Sequence, residues 1–131
     1  MIIDSSAWIE FLRSTGSAVD LRVRRALRRR EPLRMPDVVY QEVLQGAASA
    51  THFIRMQQHL DQVPAFVPDD SRELARQAAL LYARCRWQGI TPRSSNDCLI
   101  ASCAVEANEP LLHSDRDFEL IARVEPNLRF A

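Results

Sequence analysis

The sequence alternates between very short apolar segments and longer stretches with helical periodicity, and this alternation constrains the fold more than any other feature. The candidate strands are Met1-Ile2-Ile3-Asp4, Leu33-Arg34-Met35 and Pro110-Leu111-Leu112-His113. Short apolar strands separated by helices are typical of a parallel sheet with helices packed on both of its faces. The sequence therefore predicts an α/β fold, a three-layer α/β/α sandwich with a short, mostly parallel central sheet.

Residues that favour turns and caps separate the helices. Ser5 and Ser6 are expected to cap the first helix, and Gly46 is expected to stop the third. An edge strand at 63–67 and a final strand at 128–130 are further candidates. The helices are expected at residues 7–12, 18–30, 36–45, 50–60, 71–86, 94–105 and 116–124.

Length and composition bound the class of protein. A chain of 131 residues fits one domain, residues 1–131. Of these residues 47% are hydrophobic, enough for a core, but no segment is long and apolar enough to span a membrane. No secretory signal is evident. Because Cys85, Cys98 and Cys103 lack the spacing of a zinc site, reduced thiols and a cytoplasmic location are expected.

The 17 basic residues are all arginine, and they balance 17 acidic residues to a net charge of zero. The absence of lysine excludes P-loop and Schiff-base chemistry. Several of the arginines lie between Leu21 and Arg30 in the second predicted helix. They would either contact phosphates or another acidic partner, or form a solvated helix face.

Two predicted strands are followed by an aspartate. Asp4 comes directly after Ile2-Ile3, and Asp115 follows Leu111-Leu112 by a short turn. A single aspartate after a strand commonly caps the next helix. However, ligands of parallel α/β folds bind at the carboxyl ends of the strands, and both aspartates would lie at that edge. Asp97 is a third candidate, because it starts an apolar helix that offers little solvation for an unpaired charge.

Glu42 and Asp117 are weaker candidates. Glu42 lies in the middle of the third helix, where a glutamate is usually solvated, and Asp117 would be either an outer ligand or a helix cap. Clustered carboxylates repel one another and raise one another's pKa values, so a divalent cation is needed to keep them ionised. Oxygen ligands without histidine or cysteine favour Mg²⁺ or Mn²⁺.

Four segments, taken in order, resemble the motifs of PIN-domain ribonucleases, and in particular those of the VapC-like toxins of bacterial type II toxin–antitoxin pairs. Each contains one or two acids in an apolar context. Ser114 is a small departure, since many members have threonine or asparagine there. The segments are Ile2–Glu10, Pro36–Gly46, Arg93–Ala101 and His113–Phe118.

The resemblance implies a PIN-like fold and a metal-dependent endoribonuclease that cuts RNA, commonly tRNA or rRNA. It also implies a homodimer and a small cognate antitoxin that occupies a groove near the active site. By this resemblance the metal ligands are Asp4, Glu42, Asp97 and Asp115, with Asp117 in support.

Arg93, Arg116 and Ser6 are the candidate substrate-binding residues. Each arginine lies beside a proposed metal ligand and would contact the scissile phosphate or pair with an acid. Ser6 would hydrogen-bond within the site or cap the first helix.

Two other interpretations compete with the nuclease. A PIN-like module could bind RNA or a protein partner without cutting, but such a module would be expected to lose acids, and all are present. A phosphoryl-transfer domain is the second. A receiver domain needs a late lysine, and a haloacid-dehalogenase-like phosphatase needs an acid at position 6, where this chain has Ser6.

Overall fold

The centre of the molecule is a short parallel sheet. The computed structural model describes residues 1–131, and its two strands, β1 (Ile2–Ile3) and β2 (Leu111–Leu112), pair in parallel with Ile2 opposite Leu111. Isolated parallel bridges add further segments on both sides, joining Ile2 to Arg34, Met35 to Ala65 and Leu111 to Phe130. All the predicted extended segments therefore lie side by side in one parallel arrangement, as the sequence predicted, although most form bridges rather than full strands.

Both strands are entirely enclosed by the rest of the molecule. Ile2, Ile3 and Leu111 are at most 1% exposed, and they belong to one hydrophobic core that extends across the chain. Strands buried on both faces are apolar throughout, without the alternation of a half-exposed strand. This burial matches the sandwich predicted from the sequence.

Seven helices surround the sheet, and most lie where the sequence predicted them. The helix α1 packs against α2 and α3, and α6 packs against α5, α7 and α3. None of the helices is long and apolar enough to cross a membrane. The helices are α1 (Ser5–Leu12), α2 (Ala18–Arg28), α3 (Asp37–Leu44), α4 (Ala50–Leu60), α5 (Ser71–Trp87), α6 (Ser95–Ala107) and α7 (Asp117–Ala122).

The start of α1 corrects one prediction. Asp4, rather than Ser5 or Ser6, is the N-cap, and its side chain accepts a hydrogen bond from the backbone N–H of Ser6. Asp4 has an extended backbone (φ −69°, ψ 157°), so the strand runs directly into the cap and both serines fall within the first helical turn. The same aspartate therefore ends β1 and starts α1.

The end of α2 corrects another. The helix stops at Arg28, and Arg30 adopts a left-handed conformation with φ 52°. The N–H of Glu31 donates to the carbonyl of Ala26 and closes the helix end. The helix is thus two residues shorter than predicted, because a left-handed C-terminal motif ends it before Pro32, although Arg30 is not the glycine that such motifs favour.

The helix α6 is the most deeply buried helix of the fold. Ser94 caps its first turn by accepting the N–H of Asn96, and Asn108 ends it in a left-handed conformation. Ile100, Ala101 and Ala104 are at most 1% exposed. The predicted burial of this helix is confirmed, and it brings Asp97 into the molecule at its first turn.

Candidate metal centre

The acidic residues that follow the two strands meet at one edge of the sheet. The backbone N–H of Asp4 donates to the carbonyl of Leu112 (2.9 Å), so the chain after β1 stays attached to β2. Ser114 and Asp115 follow β2 at the same edge, because parallel strands end together. The predicted meeting of Asp4 and Asp115 at the carboxyl edge is what the geometry shows.

Three carboxylates form the tightest cluster. One oxygen each of Asp97, Asp115 and Asp117 lies within 4.8 Å of the others. Asp97 and Asp117 are 8% and 6% exposed, and Asp115 is half-buried. Buried carboxylates at this separation, with no nitrogen or sulfur ligand among them, fit a hard divalent cation.

Asp97 carries the strongest electrostatic signature. The pKa of its carboxyl is raised from its ordinary value of 3.8 to about 7, first by burial and then by the negative charges of Asp4, Asp115, Asp117 and Glu42. The other four predicted acids are therefore all close enough to act on Asp97 through their charges. In the absence of a cation, Asp97 is the carboxyl that holds a proton near neutral pH.

Asp4 is fixed by the residues that follow it. Its Oδ2 atom accepts hydrogen bonds from the backbone N–H (2.9 Å) and the hydroxyl (2.5 Å) of Ser6. Burial raises the pKa of Asp4, while these hydrogen bonds from Ser6 act to lower it. Ser6 also accepts the N–H of Ser114 (2.9 Å), so its hydroxyl connects the β1 and β2 ends of the site.

Glu42 reaches the site through Ser5. The hydroxyl of Ser5 lies 2.8 Å from Oε1 of Glu42 and 3.5 Å from Oδ1 of Asp4, so it lies between the two acids. Glu42 is half-buried on α3, and its charge contributes to the raised pKa of Asp97. The usual solvated position of a mid-helix glutamate therefore does not describe this one, although Glu42 lies outside the tight three-carboxylate cluster.

Arg93 forms ion pairs with two acids of the cluster, Asp115 and Asp117. Its backbone N–H and its Nε donate to Oδ2 of Asp117 (3.0 and 3.1 Å), and its Nη2 donates to Oδ1 of Asp115 (2.8 Å). The backbone hydrogen bond is the main reason why the pKa of Asp117 is lowered, and the guanidinium adds to it. Of the two roles that the sequence left open, the structure shows the pairing with acids.

Arg116 is placed differently. It precedes α7 as its N-cap residue, is exposed, and makes no ion pair within the chain. Its charge still contributes, less than that of Arg93, to the lowered pKa of Asp117. Arg116 is thus the arginine that lies near the acids without being bound to them.

Sequence analysis missed two residues that shape the site, Ser5 and His113. Nδ1 of His113 accepts the backbone N–H of Asp115 (3.1 Å), while its ring packs against Phe118 and Phe130. Signals existed for both residues, because Ser5 directly follows Asp4 and His113 lies two residues before Asp115.

Comparison with known proteins gives a consistent family of relatives. Residues 1–124 match the family model described as the PIN domain. The chain is 36% identical over 125 residues to ribonuclease VapC11 of Mycobacterium tuberculosis and to VapC ribonuclease Mb1587 of Mycobacterium bovis, covering 95% of this chain and 92% of each relative.

Solved structures share the fold. The VapBC2 structure from Rickettsia felis, bound to a DNA fragment from its promoter, superposes with a TM-score of 0.73 at 18% identity. The FitAcB structure from Neisseria gonorrhoeae superposes with a TM-score of 0.68 at 17% identity. In both cases 99% of this chain and 96% of the other chain are covered.

Proposed function

The chain belongs to the PIN-domain family, and from this membership we propose that it is an endoribonuclease that hydrolyses phosphodiester bonds of RNA with the help of a divalent metal ion. The observation that carries the proposal is the cluster of Asp97, Asp115 and Asp117 at the carboxyl edge of the sheet, with Asp4 and Glu42 beside it. The 36% identity to VapC ribonucleases over nearly the whole chain supports the same activity.

The donor set fits a metal ion. We assign the ligands to Asp4, Glu42, Asp97 and Asp115, with Asp117 in support, and the ion to Mg²⁺ or Mn²⁺, because all donors are carboxylate oxygens. The raised pKa of Asp97 supports this assignment, since burial and the four neighbouring acids disfavour its ionised form, which a bound cation would stabilise. When bound, the ion supplies electrostatic stabilisation of the charge that develops on a phosphodiester and favours ionisation of a water molecule.

The chain's own residues orient this chemistry. Ser6 fixes one oxygen of Asp4, and Ser5 fixes Oε1 of Glu42, so neither carboxylate rotates freely. Arg116 is exposed beside the cluster and is the arginine that we propose contacts the RNA phosphate. Ser6 and Arg93 are the other proposed substrate-binding residues, although their side chains are engaged with acids in the free protein.

Partners follow from the relatives. We propose a small cognate antitoxin, an RNA substrate such as tRNA or rRNA, and a homodimer, so that the chain acts as the toxin of a toxin–antitoxin pair. One of the solved structures with the same fold is a VapBC2 structure, which supports the antitoxin. A single domain over residues 1–131 is supported by the family match over residues 1–124, and a cytoplasmic location stays a prediction.

The alternative is a PIN-like module that binds RNA or a partner without cutting. The relatives named as ribonucleases and the presence of every predicted acid argue against it. The two hypotheses differ in one measurement, RNA cleavage.

The test is cleavage of bulk tRNA and rRNA by the purified chain with Mn²⁺ or Mg²⁺, against an EDTA control and an Asp97→Asn variant. We expect discrete fragments with metal, and none with EDTA or with the variant. Intact RNA with wild-type protein and metal, in a sample that binds the RNA, would favour the binding module.

A further inference from the structure

Arg93 makes more contacts with the acidic cluster than any other basic residue. Its backbone N–H and Nε both bind Asp117, and its Nη2 binds Asp115. A planar guanidinium offers donors in a fixed fork, so one side chain sets the relative orientation of two carboxylates. These contacts define how Asp115 and Asp117 are held.

The contacts leave half of each carboxylate free. Arg93 binds Oδ1 of Asp115 and Oδ2 of Asp117, and Oδ1 of Asp115 also accepts the N–H of Asp117 (3.0 Å). The hydrogen bonds of the chain therefore converge on one oxygen of each aspartate. The other oxygen of each remains available to a ligand.

The position of Arg93 in the chain gives these contacts a second effect. Arg93 lies just before Ser94, the N-cap of α6, and Asp97 lies in the first turn of that helix. Of the acids that it binds, Asp115 lies on the turn after β2 and Asp117 is the first residue of α7. Arg93 therefore connects the beginning of α6, which carries Asp97, to Asp115 and Asp117, the other two acids of the cluster.

We propose that Arg93 is a positioning residue of the metal centre, which holds Asp115 and Asp117 so that one oxygen of each faces the metal ion together with Asp97. The inference rests on the proposed function, because it assigns a role toward the metal. The positioning role is distinct from the substrate-binding role proposed for Arg93 above, since in it the guanidinium acts through the two aspartates.

Arg93 could also act on the metal centre through its positive charge alone. If Arg93 acted only through its positive charge, it would repel or compete with the cation, and removing the charge would strengthen metal binding. If Arg93 instead positions the two aspartates through its hydrogen bonds, loss of the planar guanidinium weakens metal binding even when the positive charge is kept. Substitution of a residue that orients metal ligands typically lowers the metal affinity about tenfold or more.

Two variants separate these views. Arg93→Lys keeps the charge but loses the fork, and Arg93→Gln loses both. Arg55→Gln serves as the matched control, because Arg55 is an exposed arginine of α4 that makes no ion pair within the chain. The measurement is the affinity for Mn²⁺ by titration calorimetry, with the thermal unfolding midpoint in EDTA as the control for folding.

We expect both Arg93 variants to bind Mn²⁺ about tenfold more weakly than wild type, and Arg55→Gln to bind like wild type. Their unfolding midpoints in EDTA should stay close to that of wild type, because the Arg93 side chain is 73% exposed. Mn²⁺ affinity equal to or above wild type in Arg93→Gln, or wild-type affinity in Arg93→Lys, overturns the proposal. Unfolding of both variants overturns it as well, since a positioning residue leaves the fold intact.

The design separates this inference from the proposed function. If wild-type protein bound no Mn²⁺ in the same titration, both the metal centre and the positioning role of Arg93 would be contradicted. A different result would remove only the role of Arg93 and leave the metal centre intact. In that result wild-type protein binds Mn²⁺, Asp97→Asn does not, and Arg93→Lys binds it as tightly as wild type.

Discussion

At the scale of single residues, Asp97 shows how burial and charge create a site. Its carboxyl is 8% exposed and is surrounded by four other acids, and its pKa is raised to about 7. In the unfolded chain an aspartate titrates near its ordinary value, so folding without metal works against the ionised form of Asp97. Ionised Asp97 therefore destabilises the metal-free folded protein, and a cation bound at the cluster would remove this destabilisation.

This imbalance predicts a pH dependence of the metal-free protein. Because the folded pKa of Asp97 lies above its unfolded value, the folded state binds the proton more tightly and stability falls as the pH rises from about 4 through 7. Asp97→Asn removes the titrating group, so we expect the variant to be more stable than wild type at pH 8 in EDTA, by about 1–2 kcal/mol. Urea unfolding at pH 5 and pH 8 measures the difference, and a variant less stable than wild type at pH 8 would contradict it.

Glu42 allows a second prediction at this scale. Its Oε1 atom accepts the hydroxyl of Ser5, which lies between it and Asp4. We expect Glu42→Gln to weaken Mn²⁺ binding measurably by calorimetry, because a neutral amide is a poorer ligand for a hard cation. The control is Gln41→Glu, which adds a carboxylate at the exposed neighbouring position of α3. Unchanged Mn²⁺ affinity in Glu42→Gln would contradict the assignment of Glu42 as a metal ligand.

At the scale of secondary-structure elements, Asp4 and Arg30 show how helix ends are built. Asp4 both ends β1 and caps α1, so one side chain serves the helix and the metal centre. Arg30 closes α2 in a left-handed conformation that costs free energy for any residue with a Cβ. The helix ends are therefore the places where local chemistry, and not the apolar pattern, decides the structure.

The double role of Asp4 is separable by substitution. Asparagine caps helices about as well as aspartate, whereas alanine does not. We expect Asp4→Asn to stay folded but lose cleavage, and Asp4→Ala to lose cleavage and a further ~1 kcal/mol of stability relative to Asp4→Asn. Thermal unfolding and RNA cleavage, measured side by side, test this. Equal stability of the two variants would show that the cap contributes nothing.

The strained end of α2 gives a prediction about stability alone. Glycine adopts positive φ without steric cost, so we expect Arg30→Gly to stabilise the protein by about 0.5–1 kcal/mol. Urea unfolding measures the change, and Arg29→Gly, at a residue with helical φ, serves as the opposite control. A loss of stability in Arg30→Gly would mean that the arginine side chain contributes more than its backbone costs.

At the scale of the whole molecule, the parallel sheet explains what the sequence could predict and what it could not. The positions of the strands and helices follow from periodicity, and Asp4, Asp97 and Asp115 follow from their places at the ends of these elements. The contacts of Arg93 with Asp115 and Asp117, and of Ser5 with Glu42, join residues far apart in the chain. Pattern analysis cannot rank such contacts, because they depend on the packing of α3 and α6 at one sheet edge.

Metal binding should be visible in the stability of the whole molecule. A ligand that binds only the folded state stabilises it by ~2.7 kcal/mol at a concentration of 100 times its dissociation constant. We expect Mn²⁺ to raise the unfolding midpoint, EDTA to reverse the gain, and the gain to be larger at pH 8 than at pH 6, because Asp97 must lose its proton. Differential scanning calorimetry measures the shift, and a gain that is independent of pH would contradict the role of Asp97.

The pairing of Ile2 with Leu111 links the first strand of the chain to one of its last segments. A nascent chain that has emerged only as far as α6 holds Asp4, Glu42 and Asp97 but lacks β2, Asp115 and Asp117. The acidic edge of the sheet therefore forms only after β2 and the start of α7 have been synthesised.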